Sequence, residues 1–156
     1  MEIEIIEGDI LQQDVEVIVN SWNRNIIPWW LLLPQGVSGA IKKKAGIKPF
    51  VEIGKYGPIP LGEARETSSG KLPYKSIIHV AGINIFWFGT EYSVRKSVEN
   101  AMSIVNEKKY NSVAFPLIGS GSGNRGKEWS LNLMQSTFSL LSSEAKVLLV
   151  KYAKNS

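Results

Sequence analysis

A chain of 156 residues with 44% hydrophobic residues, 21% charged residues and 14 glycines has ordinary globular proportions. These exclude collagen, coiled coil and disorder and point to one domain over residues 1–156. The chain holds no Cys and a single His, so thiolate zinc sites, disulfide frameworks and cysteine nucleophiles are excluded, and any imidazole chemistry falls to His79. The net charge of +4 invites a nucleic-acid partner or equally a small anionic ligand, but it is unevenly spread. Residues 1–16 carry six acids and no base, whereas Lys42, Lys43, Lys44 and Lys48 form the one dense basic cluster. On a helix such a cluster reads first as a solvated face and second as a phosphate-binding patch.

In chain order, Ile3, Ile5 and Ile6 alternate with acids in a short strand ending at Gly8-Asp9. Glu2, Glu4, Glu7 and Asp9 stand where a signal peptide needs a basic start and an apolar run. Residues 15–20 (VEVIVN) read as a strand buried on both faces. The longest apolar run, residues 26–34, falls short of the roughly 20 residues that cross a bilayer, so no membrane partner and a cytoplasmic location are expected. Residues 36–46 (GVSGAIKKKAG) form a short helix stopped by Gly46, residues 48–56 a second one, and residues 62–68 and 76–81 two strands. Over residues 92–109 the period changes: Val94, Val98, Ala101, Met102 and Val105 make one apolar stripe. Residues 112–118 (SVAFPLI) are a buried strand running into glycines, residues 127–141 a helix, and residues 146–152 a last strand. This alternation predicts an α/β fold with a parallel or mixed sheet and helices on both faces, and the resemblance given below narrows it to a three-layer α/β/α fold with a mixed, mostly parallel central sheet. Ligands then bind beyond the carboxyl ends of the strands, which singles out the turns after residues 15–19 and 112–118.

Three places carry candidate chemistry. Gly119, Ser120, Gly121, Ser122, Gly123 and Asn124 follow a buried strand and precede a helix, so they read either as a diphosphate cradle of backbone N–H groups or as a tight turn. The run is no Walker A loop, because Gly126-Lys127 is followed by Glu128. Asn20 and Asn23 end a buried strand, where an amide suits the vicinal hydroxyls of a ribose or simply makes a turn. Asp9 with Ile10 follows the first strand, where a carboxylate either accepts from a base amine or caps a helix.

Together the pieces GDI (8–10), VIVNSWN (17–23), QGVSGAIKKKAG (35–46), LPYKSIIHVAG (72–82) and SVAFPLIGSGSGN (112–124) resemble the macrodomain family, which binds ADP-ribose. The resemblance implies that Asp9 binds the adenine amine with Ile10 beside the ring. Asn20 and Asn23 match the family's Asn pair, the second near the distal ribose. Gly36, Val37, Ser38 and Gly39 fall on the first diphosphate loop, and Gly119 to Asn124 on the second. The implied partner is ADP-ribose, free or on a protein, nucleic acid or metabolite; no metal or other cofactor is called for.

The departures from the family bear on activity. In hydrolytic members the first loop carries an Asp where this chain has Ser38, and serine is no general base near neutral pH. The alternative function, an ADP-ribosyl hydrolase or O-acetyl-ADP-ribose deacetylase, would therefore rest on Asn23, an activated water and Ser38. Another hydrolytic branch uses a lysine near the position of Lys42, but the Asp that assists it is absent from residues 121–124. Where many relatives place an aromatic after the second loop, residues 123–126 supply none, so Trp22, Trp29, Trp30 and Trp87 read either as core or as the source of a replacement, acting as a lid or as an edge for a partner subunit. Lys42 to Lys48 also offer an RNA or poly(ADP-ribose) surface, and His79 reads as a core residue without a catalytic role.

Overall fold

A computed structural model describes residues 1–26, 29–30, 36–83, 89–120 and 126–153. Six strands form one sheet in the order β1-β6-β5-β2-β4-β3. They are β1 (Glu2–Gly8), β2 (Val17–Trp22), β3 (Ala64–Thr67), β4 (Ser76–Ala81), β5 (Ser112–Pro116) and β6 (Lys146–Tyr152). Every neighbouring pair is parallel except β3 with β4. The helices are α1 (Gly36–Ala45), α2 (Lys48–Gly54), α3 (Glu91–Lys108) and α4 (Lys127–Phe138). The expected mixed, mostly parallel sheet between helical layers is thus the observed one, and β4 and β6 have the bounds read from the sequence.

Alternation along β2 separates the two cores, as a strand's period of two requires. Val17 and Val19 pack with the stripe of α3 and with Leu131, Met134 and Phe138 of α4, whereas Ile18 and Trp22 pack with Ile41, Phe50 and Ile53 of α1 and α2. The central strands are buried on both faces, which explains their nearly unbroken apolar sequence. In α3, Thr90 and Ser93 exchange backbone and hydroxyl bonds as a capping box, and Lys109 ends the helix with φ of 57°. β2 starts two residues later than the sequence suggests because Glu16 is taken up elsewhere: its N–H donates to the Ser112 hydroxyl and its carboxylate pairs with Lys75. Among the described residues no helix is long and apolar enough to cross a membrane.

From β2 the chain moves to β4 and β3 on one side, and from β5 it moves to β6 on the other, so β2 and β5 flank the point where the strand order reverses. Their ladder covers only Val17↔Val113 and Ile18↔Ala114, although both strands continue beyond it. Such a switch point leaves a crevice at the carboxyl ends.

Candidate functional site

Because β1, β6, β5, β2 and β4 all run the same way, the segments that follow them emerge at one edge of the sheet. Asp9 follows β1, Asn23 follows β2 and Gly119-Ser120 follow β5. The first turn of α1 joins them, since the Ser38 hydroxyl donates to Asn20 of β2 at 2.8 Å. The two turns singled out in the sequence are therefore neighbours across the switch point.

Asp9 caps a 3-10 turn, Ile10–Gln12, with Oδ1 accepting from the Leu11 N–H at 2.9 Å. Both readings of Asp9 are compatible, because among the described residues no partner takes its second carboxylate oxygen. Ile10 is buried beneath it, and the Tyr74 hydroxyl donates to the Ile10 and Gln13 carbonyls, holding this turn against the α1 side of the sheet.

α1 opens with Gly36-Val37-Ser38-Gly39 and has no acidic residue in its first turn. The first four N–H groups of a helix lack intrahelical acceptors, and the dipole makes that end attractive to an anion. On the other side of the crevice Gly119 has φ of +81°, in the left-handed region that a Cβ disfavours. A Cβ on Gly89 would lie 2.8 Å from the Gly119 Cα, and one on Gly82 would lie 2.7 Å from the Ile118 Cγ2. The loops after β4 and β5 are therefore in backbone contact and brace each other. The Ser130 hydroxyl of α4 donates to the Ile118 carbonyl at 2.5 Å, and the α4 N-cap, Gly126, offers no side-chain acceptor to the helix N–H groups. Gly121, Ser122, Gly123 and Asn124 lie outside the described residues.

The two asparagines differ. Asn20 is fully buried, faces His79 across the β2–β4 ladder, and gives its Nδ2 to His79 Nδ1 at 3.0 Å. Its Oδ1 accepts from Ser38. On the other side of the ring, His79 Nε2 meets Thr67 Oγ1 at 2.8 Å, and Thr67 donates to the Ser68 carbonyl. Every group is satisfied when neutral His79 carries its proton on Nε2, and burial alone lowers the His79 pKa from 6.5 to about 3. Asn20, expected at the ribose, is thus fully buried and bonded at both ends of its amide, where it positions Ser38. Ser38 is itself buried, and its hydroxyl proton is committed to the Asn20 Oδ1. Nothing in the sequence marked Thr67, which completes the chain. The alignment of β3 with β4 that brings it to His79 is a tertiary fact.

Asn23 remains at the surface of the crevice. Its Oδ1 accepts from the Asn25 N–H at 2.7 Å in an Asx turn, and among the described residues its amide nitrogen has no partner. Asn25, with φ of 61°, locks the turn by donating to the Ile53 and Gly57 carbonyls and accepting from Trp22 Nε1.

The tryptophans divide as well. Trp22 is core, with its ring 5.4 Å from Phe50. Trp29 leans on Phe50 and on Gly54, where a Cβ would come within 3.2 Å of it, and the Lys42 ammonium sits 5.5 Å from its ring centroid. Lys42 is thus engaged with Trp29. Trp30 is 64% exposed, and Trp87 lies outside the described residues.

Residues 19–134 match the family model described as the macro domain. An uncharacterized protein of Sulfurisphaera tokodaii is 36% identical over 125 residues, 78% of this chain, and this chain spans 65% of that protein's length. An O-acetyl-ADP-ribose deacetylase of Citrobacter koseri is 36% identical over 127 residues, covering 76% of this chain and 68% of that one. The solved Oceanobacillus iheyensis macrodomain with ADP has a TM-score of 0.81 at 29% identity, covering 96% of this chain and 83% of that one. A point variant of that macrodomain with ADPR gives 0.82 at 28%, covering 96% and 84%.

Proposed function

The chain belongs to the macro domain family, and on that premise we propose that the crevice at the carboxyl ends of the sheet binds ADP-ribose, free or attached to another molecule. The observation that carries this reading is the shared edge. A carboxylate oxygen of Asp9 and the amide nitrogen of Asn23, neither with a partner among the described residues, lie along it with the acid-free first turn of α1 and the left-handed turn at Gly119. Asp9 accepts the adenine amine with Ile10 beside the ring. The N–H groups of residues 36–39 and 119–124 hold the diphosphate, each a donor to an anion. Asn23 donates to a hydroxyl of the distal ribose. Asn20 and Ser38 support the first loop from below.

Calorimetric titration of the protein with ADP-ribose tests this. One saturable site is expected, weakened in Asp9→Ala; no heat at high micromolar ligand, or the same affinity in the variant, would contradict it.

A hydrolytic reading is favoured by the similarity to a protein named O-acetyl-ADP-ribose deacetylase. Against it stands Ser38, a buried donor where hydrolytic relatives have an acid. Turnover of O-acetyl-ADP-ribose or of ADP-ribosyl esters that is lost in Asn23→Ala would establish it, and no turnover across ester, amide and nucleobase linkages would dismiss it.

A further inference from the structure

Beside Asn23 lies a second recess, and we propose that it holds a base of a single-stranded nucleic acid on which the ADP-ribose is carried, an inference that rests on the ADP-ribose reading of the adjoining crevice. The recess encloses about 490 Å³ between the turn after β2 and the end of α2, with Ile26, Trp29, Trp30, Val51 and Lys55 among its walls. Ile26, Trp30 and Val51 are 51%, 64% and 38% exposed, a concentration of apolar surface that a solitary exposed side chain would not give.

Its two indoles are unlike. Trp29 is fixed between Phe50 and Gly54, whereas Trp30 is 64% exposed, so a flat group can enter against a fixed wall and be covered by the second ring. The charge is one-sided. Lys42 lies over Trp29, Lys55 lines the recess, and among the described residues no carboxylate does. Glu52, the one acid of α2, is drawn away to the Ser68 hydroxyl and N–H. Lys43, Lys44 and Lys48 extend the positive field along the same pair of helices and are exposed. Aromatic faces interleaved with ammonium groups suit an unpaired strand, because any base offers a π-face and every nucleotide brings a phosphate.

The recess also adjoins the ribose end of the crevice. Asn25 lines it, and the Asn25 N–H is the group bound to the Asn23 Oδ1 at 2.7 Å, so both places share one braced turn. With the distal ribose at Asn23, a group carried on that ribose has the recess beside it, and free ADP-ribose carries no such group. The Asn25 amide is consumed by the Ile53 and Gly57 carbonyls and so does not serve a peptide backbone, which favours a stacked base over a peptide acceptor.

The intact protein is titrated with free ADP-ribose, a single-stranded DNA oligonucleotide carrying one ADP-ribose, the same oligonucleotide unmodified, and an ADP-ribosylated peptide. The modified oligonucleotide is expected to bind about 10-fold tighter than free ADP-ribose, in the range that stacking of one base supplies. Trp30→Ala should erase that gain and Trp30→Phe keep part of it. Lys55→Gln should reduce its salt dependence. In all three variants the affinity for free ADP-ribose should stay within about twofold, since the mostly exposed Trp30 and Lys55 carry little of the fold. Equal affinity for modified oligonucleotide and free ADP-ribose, a gain that survives Trp30→Ala, or the same gain with the peptide overturns the proposal. Failure of free ADP-ribose and of every conjugate to bind would instead defeat the reading of the crevice itself.

Discussion

At the scale of single residues, the hydroxyl of Ser38 is committed inward to Asn20, and a buried relay through His79 to Thr67 fixes its direction. Restoring an acid by Ser38→Asp would bring a carboxylate against the Asn20 Oδ1, forcing the amide to turn and leaving His79 Nδ1 without its donor. Urea denaturation should record a loss of about 1–3 kcal/mol, the cost of an unsatisfied buried group, with no hydrolytic activity gained. His79 makes a second prediction. Its folded pKa of about 3 lies below its ordinary 6.5, so between those values the unfolded chain binds the extra proton. Stability is then full above about pH 6.5 and falls as pH drops toward 3, by at most about 1.4 kcal/mol per unit from this one group. Glu16, whose carboxyl is held below its ordinary 4.5 chiefly by the Lys75 hydrogen bond, adds the same sign only lower down. Denaturation midpoints between pH 6.5 and 5 should therefore slope in the native protein and be flat in His79→Gln. Asp9, Asn23 and the glycines were legible as residue types at strand ends. The burial of Asn20 was not, because VNSWN gives both asparagines the same local context and only the β2–β4 register decides that one meets His79.

Among the elements, Asp9 combines a structural and a binding task that can be separated. Asp9→Asn keeps a good cap, since the amide oxygen still accepts from Leu11, but it turns an NH₂ toward the adenine amine. The stability should stay within about 0.5 kcal/mol, while ADP-ribose affinity falls about 10-fold through loss of a charge-assisted bond; a matched fall in both would assign Asp9 to the cap alone. The loops after β4 and β5 act as one unit through Gly89 and Gly119. Gly89→Ala places a Cβ against backbone that cannot yield, so it should cost about 1–3 kcal/mol and weaken ligand binding together. The helices and central strands were readable because their apolar periods are strong: the stripe from Val94 to Val105 and the runs IIHV and VLLV leave little choice of element. Edges were harder. The glycine contacts between the loops are long-range and carry no local signal.

At the scale of the molecule, the parallel sheet gathers five strand ends at one edge, and the order reversal between β2 and β5 opens it. Function is positioned by topology, which is why the absence of Cys and the burial of the single His remove nothing that binding needs. Each group proposed to meet the ligand is a backbone amide, a carboxylate or a carboxamide. The central claim, that this edge is where ADP-ribose binds, is tested most directly by recording backbone amide NMR shifts during titration with ADP-ribose. The expected changes concentrate on Asp9 to Leu11, Asn23, residues 36–39, and Gly119-Ser120. The opposite end of the sheet, at Glu2, Val17, Ser76 and Ser112, should stay still. Saturable shifts at that opposite end, or none at all, would contradict the account.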